Sequence, residues 1–267
     1  YGTYGWGART PGYNLWPLKF VTQLFKQARK ITPAQFDLSL HTRTPVTSVS
    51  ALSPTGSLRR WELATPRGAV QCSYVVHATN GYASHLLPHM AGPAGIVPVR
   101  GQVLAVRANV PLDVLSTVSW ASDQGYWFPR PISGIEEEHP LVILGGAREA
   151  AGPPFEMDVT DDSTVDSTVG AVLRSFLPAL FPGLYEPGRE PEAEWTGIMG
   201  YTALDIPFVH RPRPEPKHAY EGQFIAAGFA GHGMPRGFGC AEVVVQMIAA
   251  ELAGREWVAL CGSHDRF

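Results

Sequence analysis

The 267-residue chain carries 45% hydrophobic and 17% charged residues, an ordinary globular composition that excludes a disordered or collagen-like polypeptide. A net charge of −3 leaves no basic footprint for nucleic acid and no polybasic patch for a membrane surface. Its three cysteines, Cys72, Cys240 and Cys261, are odd in number and far apart, so neither a closed disulfide framework nor a C-x-x-C metal spacing is available, and a reducing, cytoplasmic setting is expected.

No segment reaches the roughly 20 apolar residues of a membrane span. The nearest approach, Ala241 to Ala253, is interrupted by Glu242, Gln246 and Glu251. The opening Tyr1-Gly2-Thr3-Tyr4-Gly5-Trp6 is neither a signal peptide nor a methionine start, which suggests a piece of something longer.

Leu15, Leu18, Val21, Leu24, Phe25 and Ala28 recur at helical spacing, with lysines on the other faces. They predict an amphipathic helix ending near Ile31-Thr32-Pro33. Short alternating segments follow at Phe36–His41, Val46–Leu52, Arg60–Thr65 and Ala69–Gln71, with a hairpin turn at Ser53-Pro54-Thr55-Gly56. Tyr74–Ala78 is a β-branched run closed by Thr79-Asn80-Gly81, and a short helix with Leu86 and Leu87 is expected after it. Strand character dominates from Ile96 to Gly146, in Val97–Val106, Gly125–Pro129 and Leu141–Leu144, and Ser133–Pro140 reads as a surface loop. Asp161-Asp162-Ser163 is expected to cap a helix carrying Val165, Val169, Val172, Leu173, Phe176 and Leu177. Trp195–Leu204 and Pro207–Val209 return to strand, and Arg211–Gly222 is a polar, proline-rich loop. A β-rich middle flanked by α/β material predicts an α/β (α+β) chain with a β-rich domain inserted into the α/β one.

The chemistry-bearing features lie at turns. Gln223–Ala227 reads as a strand, Gly228-Phe229-Ala230-Gly231-His232-Gly233-Met234 as a glycine turn, and Ala241–Leu252 as a helix. Glycines permit φ > 0 and close approach of a ligand, and a helix start offers unpaired N–H groups and a positive dipole end. The alternative is a structural turn whose histidine is satisfied by backbone. His77-Ala78-Thr79-Asn80-Gly81 ends a strand where ligands of open α/β sheets bind, although an Asn-Gly turn needs no ligand. Arg100 and Arg148 could fork a carboxylate or serve as ion-pair partners. Tyr126, Trp127 and Phe128, and the aromatics of Trp195–Tyr201, either wall a substrate pocket or fill core. No G-x-S-x-G, H-E-x-x-H or Walker A pattern occurs, and Gly2–Gly7 follows no strand.

Taken in order, four motifs resemble the D-amino-acid oxidase–like family of FAD-dependent oxidoreductases, in particular its fungal members. They are Leu15-Trp16-Pro17-Leu18-Lys19, Thr44-Pro45-Val46-Thr47-Ser48-Val49, Val75-Val76-His77-Ala78-Thr79-Asn80-Gly81 and Gly228–Met234. The resemblance runs from about residue 7 to about residue 254. It implies a partial FAD-binding domain of the glutathione-reductase type, residues 1–95 and 222–267, with a mixed or antiparallel β-sheet substrate domain, 96–221, inserted. It also implies oxidation of a C–N bond of an amino acid or amine by hydride transfer to the flavin, giving an imine, with the positive end of a helix beginning near Met234 aimed at the flavin. FAD would be held by Val46, Ala78, Thr79, Asn80, Gly81, Gly200, Gly228, Phe229, Gly231, His232, Gly233 and Met234. Tyr126, Arg148 and Arg236 are the candidates for substrate contact, and no catalytic residue is assigned.

Two departures from the family pattern qualify these expectations. Met199-Gly200 precedes Tyr201-Thr202 where some relatives carry a tethering cysteine, so FAD is expected to be non-covalent. The family's G-x-G-x-x-G strand–turn–helix is missing from the sequence, so a further N-terminal segment or another chain is expected to complete the FAD site. The alternatives are a catalytically silent remnant acting as an interaction module, and an unrelated α+β binding protein.

Overall fold

In this computed structural model the described residues are 13–53, 58–115, 120–122, 125–130, 138–212 and 220–258. In chain order they form α1 (Pro17–Ile31), β1 (Ser48–Ala51), β2 (Trp61–Thr65), β3 (Gly68–Cys72), β4 (Val75–His77), α2 (Ala83–Leu86), β5 (Val97–Arg107) and α3 (Leu112–Leu115). There follow β6 (Trp120–Ser122), β7 (Gly125–Pro129), β8 (Leu141–Gly146), α4 (Ser167–Leu180), β9 (Ala193–Tyr201), β10 (Phe208–His210), β11 (Gln223–Ala227) and α5 (Gly233–Leu252). The chain is mixed α/β, as its pattern predicts, and divides into two compact units.

The first unit takes in Tyr1–Ser39, Gly101–Glu156 and Asp162–Gly197. Its frame is a sheet in the order β6-β7-β8-β5-β9, with β6·β7, β7·β8 and β5·β8 antiparallel. Val169, Leu173 and Leu177 recur every four residues on α4 and pack on Leu104, Val142 and Leu144. Each such side chain contributes about 1.5–3 kcal/mol by burial. α1 forms over the expected residues, with Pro17 at its first position, yet none of its 15 residues is buried.

The cap of α4 differs from expectation. Asp166, not Asp161–Ser163, closes the helix: its Oδ1 accepts from the N–H groups of Thr168 (2.8 Å) and Val169 (2.9 Å). The residues before it are committed elsewhere. Thr196 Oγ1 donates to the carbonyls of Asp162 and Thr164, which keeps that stretch extended and leaves Val165 outside the helix. Buried Gln102 then fixes Asp166 by donating to its carbonyl (3.0 Å) and accepting from its N–H (2.8 Å). The expected strand at Phe36–His41 is irregular backbone with exposed Phe36, Leu38 and Leu40.

The second unit takes in Leu40–Arg100, Met157–Asp161 and Ile198–Phe267. It holds the antiparallel meander β1-β2-β3 and a sheet ordered β10-β11-β4, in which β11 pairs parallel with β4. One face of the parallel pair meets Ala83, Leu87, Met90 and Ile96, and Phe224 on the other meets Val244 and Met247 of α5. Burial on both faces explains why β11 reads as a continuous apolar run. The turn expected at residues 53–56 and most of the 211–222 loop lie outside the described residues.

A candidate cofactor turn

The strand-end turn after β4, the end of β9 and the turn after β11 interlock within the second unit. Asn80, in the left-handed region at φ 45°, directs Oδ1 at the backbone of the glycine turn and accepts from Gly228 N–H (2.9 Å) and Phe229 N–H (3.2 Å). Ala230 N–H donates to Gly200 O at 2.8 Å. Asparagine is among the few residues other than glycine that adopt this conformation readily. An Asn-Gly turn and a distant glycine turn are thereby joined by two hydrogen bonds, and a third ties the glycine turn to the end of β9.

Several of the glycines in these turns accommodate protein rather than open space. A Cβ on Gly81 would lie 2.6 Å from Met199 O, and one on Gly200 would lie 2.9 Å from Gly81 N. Gly228, at φ 84°, would place its Cβ 2.6 Å from Thr202 Cγ2. Gly231 and Gly233 differ: a Cβ there would meet nothing nearer than 3.5 and 3.6 Å. A side chain there would make only ordinary van der Waals contact.

The helix begins where the resemblance implies, near Met234, ahead of the apolar stretch Ala241–Leu252. α5 starts at Gly233, so Met234 to Cys240 are helical despite Gly237, Gly239 and Pro235. Pro235 sits in the first turn, where no intrahelical N–H is lost. No side chain caps this N-terminus and no acidic residue stands in its first turn, so unpaired N–H groups and the positive dipole end remain available. His232 Nδ1 donates to Ala230 O at 2.8 Å, which leaves Nε2 as the acceptor nitrogen. Thr79 Oγ1 is buried and has no hydrogen-bond partner among the described residues.

The remaining predicted residues are dispersed. Val46 is half-buried in the extended segment before β1, and Ala78 is exposed just beyond β4. Arg236 donates to Asp205 O at 2.6 Å. Tyr126 (β7) and Arg148 belong to the first unit, where Arg148 pairs with Glu149 at 3.4 Å. Burial pushes the Tyr126 phenol above its usual value, so the hydroxyl is a donor at neutral pH.

Sequence reasoning passes over the pair His77 and Gln223, both about 1% exposed, in which His77 Nε2 donates to Gln223 Oε1 at 2.6 Å. Burial lowers the His77 pKa, opposed by the Gln223 hydrogen bond and reinforced by His89. Only the parallel register, with Gln223 opposite Val75 and Ile225 opposite His77, brings these residues together. A cavity of about 420 Å³ lies apart from the glycine turn, lined by His210, Arg211, Glu251, Arg255 and Trp257 among others. Beside it, Glu251 in the last turn of α5 opposes the helix dipole and is offset by Arg60 (3.0 Å) and Arg211 (2.8 Å).

Comparison with known proteins identifies the fold. A family model described as FAD dependent oxidoreductase (DAO) matches residues 5–247. L-proline dehydrogenase from P. horikoshii superposes with a TM-score of 0.57 at 19% identity, covering 91% of this chain and 57% of that one. L-amino acid deaminase from Proteus vulgaris gives 0.55 at 13% identity, covering 87% and 58%. Glycine oxidase from Geobacillus kaustophilus gives 0.51 at 17% identity, covering 82% and 50%. The chain thus spans about half the length of these solved structures. No curated protein matches it in sequence.

The residues at the turn fit the cofactor of that family. An uncapped helix start, the exposed Gly231 and a Thr79 hydroxyl with no partner among the described residues suit an electron-rich, hydrogen-bonding group. The chain belongs to the FAD dependent oxidoreductase family.

Proposed function

We propose that this protein oxidises a C–N bond of a small amino acid or amine, with FAD held non-covalently against the turn that opens α5. The observation that carries the reading is the lock of Asn80 on Gly228 and Phe229, which fixes the glycine turn ahead of an uncapped helix start. When bound, FAD supplies a two-electron acceptor.

The chain's own residues then have distinct tasks. The N–H groups at the start of α5 would hold an electron-rich group of the cofactor, and Gly231 and Gly233 would add no bulk there. Thr79 Oγ1 and the Ala78–Gly81 turn would bind a polar part of it, and Val46 and Gly200 are the remaining candidates for its contacts. His232 offers Nε2 as an acceptor, since Nδ1 carries the proton. The absence of a cysteine beside Tyr201-Thr202 supports non-covalent binding. In the first unit, Tyr126 supplies a protonated hydroxyl and Arg148 a cation for the substrate's carboxylate. Arg236 is the other candidate; like Arg148, which pairs with Glu149, it already has a partner, Asp205 O.

The test is anaerobic incubation of the FAD-loaded protein with a panel of amino acids and N-methyl amines, with oxygen excluded so that reduced flavin accumulates and its bleaching is read. Bleaching by at least one member is expected; no bleaching by any of them, with FAD bound, defeats the reading. A second reading, a silent interaction module of the same fold, is favoured by α1, whose exposed Leu18, Val21 and Ile31 form an unburied apolar stripe. Folded protein that holds no FAD would select it.

A further inference from the structure

Tyr126 lies directly opposite Gly145 in the antiparallel pairing of β7 with β8. A Cβ built on Gly145 would stand 2.6 Å from Tyr126 Oη, 2.7 Å from Cζ and 3.0 Å from Cε1. Real Cβ atoms do not approach that closely, so any larger residue at 145 must lift the ring. Gly145 is not a left-handed glycine, and its backbone demands nothing unusual. The ring alone accounts for the missing side chain.

The hydroxyl end of the ring rests over Gly145 while Phe128 stacks against Tyr126 at 6.2 Å and 14°. Alternation along β7 puts Trp127 on the opposite face, where it packs edge-on against Phe176 of α4. Tyr126 and Phe128 therefore share the face of the sheet turned away from α4. Tyr126 is 41% exposed, and among the described residues its hydroxyl makes no hydrogen bond. An exposed hydroxyl on a ring seated in this way is a positioned donor that a ligand can take from solvent.

We propose that Gly145 is a specificity-determining positioning residue: the space left by its missing side chain seats the Tyr126 ring and fixes where the Tyr126 hydroxyl meets the polar end of a small-molecule substrate. This rests on the reading of Tyr126 as a substrate contact. Gly145 itself touches no ligand and acts through Tyr126. Gly125 supports the arrangement, since a Cβ there would press on Gly145 O at 2.9 Å and move β8.

The test is a double-mutant cycle on the FAD-loaded full chain. Affinities for glycine, L-proline and N-methylglycine are measured by calorimetry, and tyrosine ionisation by ultraviolet difference absorbance. Gly145→Ala and Tyr126→Phe should each weaken the best-bound probe about tenfold, and the double variant should be no weaker than either single one. In Gly145→Ala the raised ionisation of Tyr126 should fall toward the ordinary tyrosine value as the ring leaves the sheet. If Gly145→Ala alone does not fold, Gly145→Ala/Tyr126→Leu, which removes the clash, should fold; its failure overturns the proposal. Additive losses, an unmoved tyrosine titration, or an unaffected Gly145→Ala beside a weakened Tyr126→Phe overturn it alone. A Tyr126→Phe variant with unchanged affinity, or no binding of any probe to the wild type, overturns it together with the reading on which it rests.

Discussion

Asn80 and Gly228 are 148 positions apart in sequence, yet one side-chain oxygen of Asn80 accepts from the N–H of Gly228 at 2.9 Å and from the next N–H at 3.2 Å. Two turns that read separately as candidate ligand seats are one structure. Replacing Asn80 by alanine strands two backbone donors and strains a backbone at φ 45°. The expected cost is about 2–3 kcal/mol, read by chemical denaturation. Asn80→Gly relieves the strain without restoring the bonds and should fall between the two. Equal stability of all three proteins would contradict the lock.

Glycines at this site divide into two kinds, and alanine scanning should separate them. Gly81→Ala and Gly200→Ala push a methyl onto backbone atoms at 2.6 and 2.9 Å and should cost at least about 2 kcal/mol. Gly237→Ala and Gly239→Ala, inside α5 with nothing within 4 Å, should stabilise the helix by roughly 0.5–1 kcal/mol. Thermal unfolding of the four variants decides. Uniform destabilisation would sink the distinction.

Much of this architecture is legible in the sequence, because short-range chemistry governs it. The period of Leu18 to Ala28, the β-branched run before Thr79 and the apolar stretch Gln223–Ala227 each specify their element locally. The start of α5 is less legible, since glycines and Pro235 argue against helix until Pro235 is seen to occupy the first turn. The cap of α4 is misplaced by the sequence pattern because Thr196 and Gln102, distant in sequence, settle which acidic residue does the capping. Nothing local in the sequence couples His77 to Gln223 or Tyr126 to Gly145; strand register does.

Asp166 offers a direct check of that reassigned cap. Asp166→Ala should lower stability by about 1 kcal/mol through loss of the bonds to Thr168 and Val169. Asp161→Ala and Asp162→Ala should change stability by less than about 0.5 kcal/mol. The reverse order in a denaturant titration would restore the cap to Asp161–Ser163.

Acid should destabilise the second unit through its histidines. Burial holds the His77 pKa below its usual value, and burial together with His210 does the same for His89. Because both folded-state values are lowered, the unfolded chain binds more protons as pH falls through about 6.5. The stabilisation is complete above that value and declines below it. The melting temperature should therefore drop between about pH 7 and 5, and His77→Asn should flatten the decline. A melting temperature that rises over this interval would contradict the assignment.

The account turns on whether the glycine turn ahead of α5 holds a flavin, and a fluorescence titration of FAD with the folded protein measures this directly. The account predicts saturable quenching of flavin emission, weakened about tenfold or more by Asn80→Ala, which unlocks the turn. Flavin emission that stays unchanged at every protein concentration, with circular dichroism reporting a folded chain and a G-x-G-x-x-G strand–turn–helix segment supplied in trans, would contradict it.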